Sequence, residues 1–158
     1  MIERIPVPDK ETLPRWLRPA NYAFRAMSRM GLSLGPVCVL TVPGRRTGKP
    51  RSTPVSPLAV SGRRYVVAAL PDSDWARNVR AAGHALLSRG RRREPVTLTE
   101  VTDPALCEQV MRAFPREVPG GVPMFVKAGL VNGPGPDDFA AAAGRVAVFE
   151  IRTAPPAR

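Results

Sequence analysis

The stretch VLTVPGRRTGKPRSTPVSPL, Val39–Leu58, sets two β-branched runs on either side of a short polar bend. That pattern predicts strand, tight turn, strand, not a helix. Working outward, period-two patterning covers Val37–Val42, Arg51–Val60 and Arg64–Leu70, the last two joined by the hairpin signal SGR. HALLS and EPVTLTEV flank an RGRRR turn as a further hairpin, and RVAVFEI (Arg145–Ile151) closes the set. Between them a short helix is expected over Trp75–Ala82, capped by Asp72 or Asp74. TDPALCEQVMRAF reads as an amphipathic helix, capped by Thr102 or Asp103 with Pro104 in its first turn. Upstream, Pro14–Leu32 reads as a helix with Arg25 and Arg29 on one face and Ala20, Ala23, Phe24, Met27 and Met30 on the other. The Pro/Gly-rich segment Phe114–Asp138 reads as a long loop with a turn or two of helix around Met124–Leu130. About six mostly antiparallel strands of this length curl into a small barrel or roll with peripheral helices, an α+β fold.

The chain has 158 residues, 44% apolar and 23% charged, which suits one domain. Residues 1–13 are expected to be a flexible lead-in and 14–158 a single domain. No signal peptide and no run of about 18 apolar residues is visible, so the expected location is cytoplasmic. The net charge is +11, and its placement is more informative than its size. From Thr12 to Pro71 there is no Asp or Glu, but there are ten Arg and Lys. Such a field attracts nucleic acid, an anionic membrane surface, or a phosphorylated or carboxylated small molecule.

Several chemistries are argued against. The single histidine, His84, sits at a strand start and suits a structural role, which leaves little for histidine catalysis or a metal site. Cys38 and Cys107 lack zinc-type spacing and read as buried thiols in a reducing compartment. There is no GxSxG or Walker loop and no carboxylate pair placed for acid–base hydrolysis. An enzyme built on this chain therefore leans on a cofactor, and no catalytic side chain is identified. The turn itself is well made for an anion. Gly44 and Gly48 bracket it, Thr47 adds a hydroxyl, and Arg45, Arg46 and Arg51 can each grip an oxyanion with two N–H groups. Aromatics interleaved with the charges, which a nucleic-acid groove would carry, are missing, so no nucleic-acid partner is expected.

In order along Val37–Val101, LTVPGRRTGKPRSTPVSPL, RRYVVAALP and DWARNVRAAG resemble the deazaflavin-dependent nitroreductase family, with a weaker echo at Arg145–Ile151. That resemblance implies a split β-barrel that binds the 8-hydroxy-5-deazaflavin coenzyme F420 and transfers hydride from it. The coenzyme's tail is a phosphodiester followed by carboxylates. Arg45, Arg46, Thr47 and Arg51 match the family residues that hold that tail. Ser52, Thr53 and Pro54 match the strand along the ribityl and phosphate region. Ala68 and Ala69 match the small residues beside the ring, and Trp75 and Asn78 the helix that closes the pocket. After the two alanines several members carry Ser-Lys; here Leu70 and Pro71 remove a hydroxyl and a charge. The tyrosines of the nitroreducing members' C-terminal substrate wall are also absent, leaving Met124, Phe125 and Val126.

The expected function is thus an F420H2-dependent oxidoreductase acting on an electron-poor organic acceptor. A hydrophobic quinone or an unsaturated carbonyl fits better than a nitro compound. The alternatives are an FMN- or haem-binding protein on the same barrel, or a non-catalytic lipid or anion binder. The expected partners are the coenzyme and a hydrophobic substrate. Peripheral contact of residues 14–32 with an anionic membrane is a further expectation, each basic residue contributing on the order of 1 kcal/mol.

Overall fold

The computed structural model describes residues 38–155. Seven strands form one wholly antiparallel sheet. They are β1 (Cys38–Pro43), β2 (Pro50–Val55), β3 (Leu58–Val60), β4 (Arg63–Ala68), β5 (His84–Arg89), β6 (Arg92–Glu100) and β7 (Ala147–Thr153). Their order is β2-β1-β5-β6-β7-β4-β3. Four helices accompany them: α1 (Asp74–Ala82), α2 (Pro104–Glu117), α3 (Val122–Lys127) and α4 (Pro136–Ala141). The expected helix at Pro14–Leu32, the lead-in before it and Val37 lie outside the described residues.

Seven strands agree with the expected about six; the additional one comes from a single run. The run Arg51–Val60 is two strands, broken at Ser56-Pro57, because Pro57 has no N–H to give a ladder. This break also explains the curl. Strands β2 and β3 are the two edges of the sheet, yet only two residues separate them. Three extended residue steps span at most about 11 Å, whereas the edges of a flat seven-stranded sheet would stand roughly 30 Å apart. The edges must therefore approach each other, and the sheet is a half-barrel. At the β3–β4 hairpin Ser61 and Gly62 both take positive φ (52° and 77°), the mirror-image turn whose twist matches that of the strands.

Each face of the curled sheet buries its own core. Leu40, Val42, Val66, Ala68, Val96, Leu98, Phe149 and Ile151 fill the inside, with Ala76, Val79 and Trp75 of α1 packed against them. Tyr65 and Val148, next in line along β4 and β7, point outward into a second core with Leu58, Val60, Met111 and Phe114. The β4–β7 pair is thus covered on both sides.

That second core corrects the long-loop expectation for Phe114–Asp138 in part: the short helix expected around Met124–Leu130 is present as α3, Val122–Lys127, but helix also occupies both ends of the segment. Helix α2 begins at its Asp103 cap, whose carboxylate accepts from Ala105 N–H at 3.0 Å, and continues past Phe114 with Pro115 in its last turn. Helices α3 and α4 follow. The rings of Phe114, Phe125 and Phe139 meet with centroids 5.0, 5.4 and 5.2 Å apart, each pair contributing about 0.5–1.5 kcal/mol beyond its buried area. These contacts pull a segment rich in Pro and Gly into helices that its local propensity does not favour. Arg112 of α2 pairs with Asp137 of α4, adding a polar clasp. The cap of α1 is Ser73, not Asp72 or Asp74, and it makes no side-chain capping bond.

At the sheet end marked by the β5–β6 turn, Glu94 staples three neighbouring strands. Arg64 of β4 donates both guanidinium nitrogens to its carboxylate at 2.8 Å each, and the Thr153 hydroxyl of β7 donates at 2.6 Å. These bonds from Arg64 and Thr153 hold the Glu94 carboxyl at about 2, well below its ordinary value. A carboxyl depressed on folding stabilises the protein above its unfolded pKa, and that stabilisation is lost as pH falls through the folded one. Because the pair is about a third exposed, solvent screening limits the effect to about 1–2 kcal/mol. Glu94→Gln should therefore lower unfolding free energy by that amount at pH 7. In urea titrations the gap between the two proteins should narrow below about pH 4.5 and close near pH 2.

Candidate functional site

The turn between β1 and β2 closes on itself. Gly44 N–H donates to the Lys49 carbonyl and Gly48 N–H to the Gly44 carbonyl, both at 2.8 Å, and Lys49 N–H reaches Thr47 Oγ1 at 3.3 Å. Gly48 has φ +74°, where a side chain would be strained, so glycine is required for the bend. The chain then re-enters β2 with Arg51 opposite Val42 and Thr53 opposite Leu40, which puts both on the face that lines the inside of the half-barrel. Ser52 points the other way and shares a hydrogen bond with Thr41 (2.9 Å).

Helix α1 braces this turn from across the mouth of the half-barrel. Asn78, only 4% exposed, accepts two hydrogen bonds at Oδ1, from Arg45 N–H at 3.1 Å and Arg45 Nη1 at 2.9 Å. One turn earlier on the same helix face, Asp74 Oδ1 lies 3.2 Å from Arg45 Nη2. The helix is itself fixed on the sheet. The Trp75 ring sits 6.0 Å from that of Phe149, and the Arg80 guanidinium lies 5.7 Å over the same Phe149 ring. Arg80 also grips Glu100 with two bonds (3.0 and 2.8 Å) and donates to the Pro71 carbonyl. The Glu100 carboxyl is accordingly held below its usual range by Arg80.

Between turn, β2 and helix lies a cleft of about 540 Å³. Of the residues singled out from sequence, Arg45, Arg46, Thr47, Arg51, Ser52 and Thr53 line it from one side, and Trp75 and Asn78 from the other. Pro54, Ala68, Ala69, Leu70 and Pro71 do not line it. Ala68 is fully buried in the inner core, while Leu70 is 63% exposed just past the end of β4. Asp74 lines the cleft and was not singled out as a site residue. Its four-residue spacing from Asn78 carries that signal. On the proposed substrate wall, Met124 and Val126 are exposed, but Phe125 belongs to the outer core.

Arg46, Lys49 and Arg51 are exposed and make no ion pair among the described residues. Of these, Arg46 and Arg51 edge the cleft beside the Thr47 hydroxyl, a lining whose charge would attract an anion. No histidine or cysteine lines the cleft. No described helix is long and apolar enough to cross a membrane.

The sequence model of the family described as F420H(2)-dependent quinone reductase matches residues 17–120. No curated protein matches the chain. Among solved structures, an F420-H2 dependent reductase (FDR-A) superimposes with a TM-score of 0.52 at 19% identity, covering 75% of this chain and 95% of that one. A chain described as a domain-swapped dimer gives 0.52 at 17% identity, covering 85% and 99%. ChuZ of Campylobacter jejuni gives 0.52 at 9% identity, covering 84% and 53%. At these identities the likeness is one of fold.

Replacing Asn78 by Ala takes away the one acceptor that Arg45 N–H and Nη1 share. The expected cost is about 1–3 kcal/mol of stability, the penalty for leaving part-buried donors unmet. Urea denaturation measures it. Amide exchange across residues 44–49 should speed up more than across β6, since the bracing is local.

Proposed function

The chain belongs to the F420H(2)-dependent quinone reductase family, whose members are oxidoreductases that use coenzyme F420. On that footing we propose that this protein binds the coenzyme's tail at the turn Gly44–Arg51 and reduces a hydrophobic, electron-poor acceptor, a quinone or an unsaturated carbonyl compound. The observation that carries the reading is the pair of exposed cations, Arg46 and Arg51, that line one cleft with Trp75 and make no ion pair among the described residues.

The residues present fit the tail's chemistry. A phosphodiester followed by carboxylates needs several cationic forks in a row, and Arg46 and Arg51 stand on the two sides of a bend that keeps them together. Thr47 and the turn's backbone add neutral donors. Bound there, the coenzyme supplies a hydride to the acceptor. The protein's own share is placement: Asn78 and Arg80 fix the helix, Trp75 walls the cleft against water, and the turn anchors the charged end. Leu70, exposed just past the end of β4, favours an apolar acceptor over a charged one.

Fluorescence titration with F420, with FMN run in parallel, tests the binding half. Arg46→Ala with Arg51→Ala should weaken F420 binding at least about tenfold, and added salt should weaken the wild type. An unchanged affinity in the double variant removes the assignment of the tail to the turn. For the acceptor half, deuterium placed on the reduced coenzyme's C5 should appear in the product of a carbonyl acceptor. If no quinone, unsaturated carbonyl or nitro compound oxidises F420H2, the protein is a binder and not a reductase.

A further inference from the structure

Asp74 is the one carboxylate among the residues lining the cleft. It stands in the first turn of α1 with its side chain 90% exposed, and it touches Arg45 through Nη2 at 3.2 Å. Arg45 differs from the other cations of the turn. Its side chain is 23% exposed, whereas Arg46, Lys49 and Arg51 all belong to exposed residues. Its N–H and Nη1 are committed to Asn78, and Nη2 is held by Asp74, which lines the same cleft.

A half-buried guanidinium attracts an anion more strongly than a solvated one, because less water screens it. The best anion anchor in the cleft is therefore already partnered by an anion of the protein's own. An ion pair whose carboxylate is this exposed is weak and can be exchanged. We propose that Asp74 sets the affinity of the cleft. It stands in for the coenzyme's phosphodiester on Arg45 when the cleft is empty, and it lowers affinity when the tail arrives, either by having to be displaced or by remaining as a repelling charge. Binding is then an exchange of anions on one guanidinium. The arrangement keeps Arg45 oriented and neutralised between turnovers, and it speeds release of a coenzyme that leaves to be reduced again. The inference rests on the tail lying at the Gly44–Arg51 turn.

Asp74 has a second possible role, because an acid in a first helical turn favours the helix through the backbone dipole. That role predicts a small loss of thermal stability on removing the charge and no gain in binding. Asp74→Asn keeps the shape and removes the charge, and Asp74→Ser keeps a residue suited to a helix start. Both purified full-length variants, with wild type and the Arg46→Ala, Arg51→Ala double variant, would be titrated with F420 by fluorescence. Dissociation would be followed by stopped flow, and folding by thermal melts. The expected result is that both Asp74 variants bind about three- to tenfold more tightly, with slower dissociation, the gain shrinking as salt is raised. Unchanged or weaker binding in both Asp74 variants, while the double arginine variant still loses affinity, would overturn the role given to Asp74 and leave the tail site standing. If the double arginine variant also binds like wild type, the placement of the tail has failed and this inference with it.

Discussion

Ser56 and Pro57 are all that separates one edge of the sheet from the other. Because two residues cannot bridge a flat seven-stranded sheet, the short link forces the strands to curl, and the curl gives the sheet an inside and an outside. The inside is too narrow to stay empty and fills with Leu40, Val66, Val96 and Phe149, sealed by Trp75 and Val79 of α1. The outside of β4 and β7 still carries Tyr65 and Val148, so it needs a cover of its own, which the phenylalanine trio supplies. One link thus accounts for two cores, and for a helix lying across the mouth of the half-barrel.

The cleft exists because that helix and the β1–β2 turn are braced without touching along their full length. Asn78 spans the gap with one oxygen and two donors. Phe149, part of the inner core, presents one ring to both Trp75 and Arg80, so packing of the core and seating of the helix are the same event. A site built in this way is rigid at its back and open at its front. Such a geometry suits holding an extended ligand better than attacking one.

Charge is distributed according to use. At the far end of the sheet, Arg64 meets Glu94, and Arg63 and Arg152 meet Glu150. At the cleft, Arg46 and Arg51 are exposed with no such partner among the described residues, and the third cation, Arg45, is matched only by a carboxylate at the surface. The same residue type therefore locks strands at one end and stands exposed and unpaired among the described residues at the other. What differs is whether a glutamate stands within reach.

Sequence alone determined most strands, their hairpins and the basic turn, because those signals are local, while the resemblance of ordered motifs supplied Ser52, Thr53, Trp75 and Asn78 as further cleft residues. Alternation along β4 and β7, the Ser61-Gly62 turn, and Gly48 in the bend each show within a few residues. The order of motifs also identified the family, and the match over residues 17–120 agrees. Other features were settled only by tertiary structure, because each depends on residues far apart in the chain. Pro57 breaks the run Arg51–Val60, but that its two halves lie on opposite edges follows from which partners β1 and β4 offer. The helices within Phe114–Asp138 form because three rings find one another, against the local preference of Pro and Gly. Asn78 as a brace and Asp74 as Arg45's partner depend on a contact between residues 29 to 33 positions apart. A chain read in order shows which groups are present; only the curled sheet decides which of them meet.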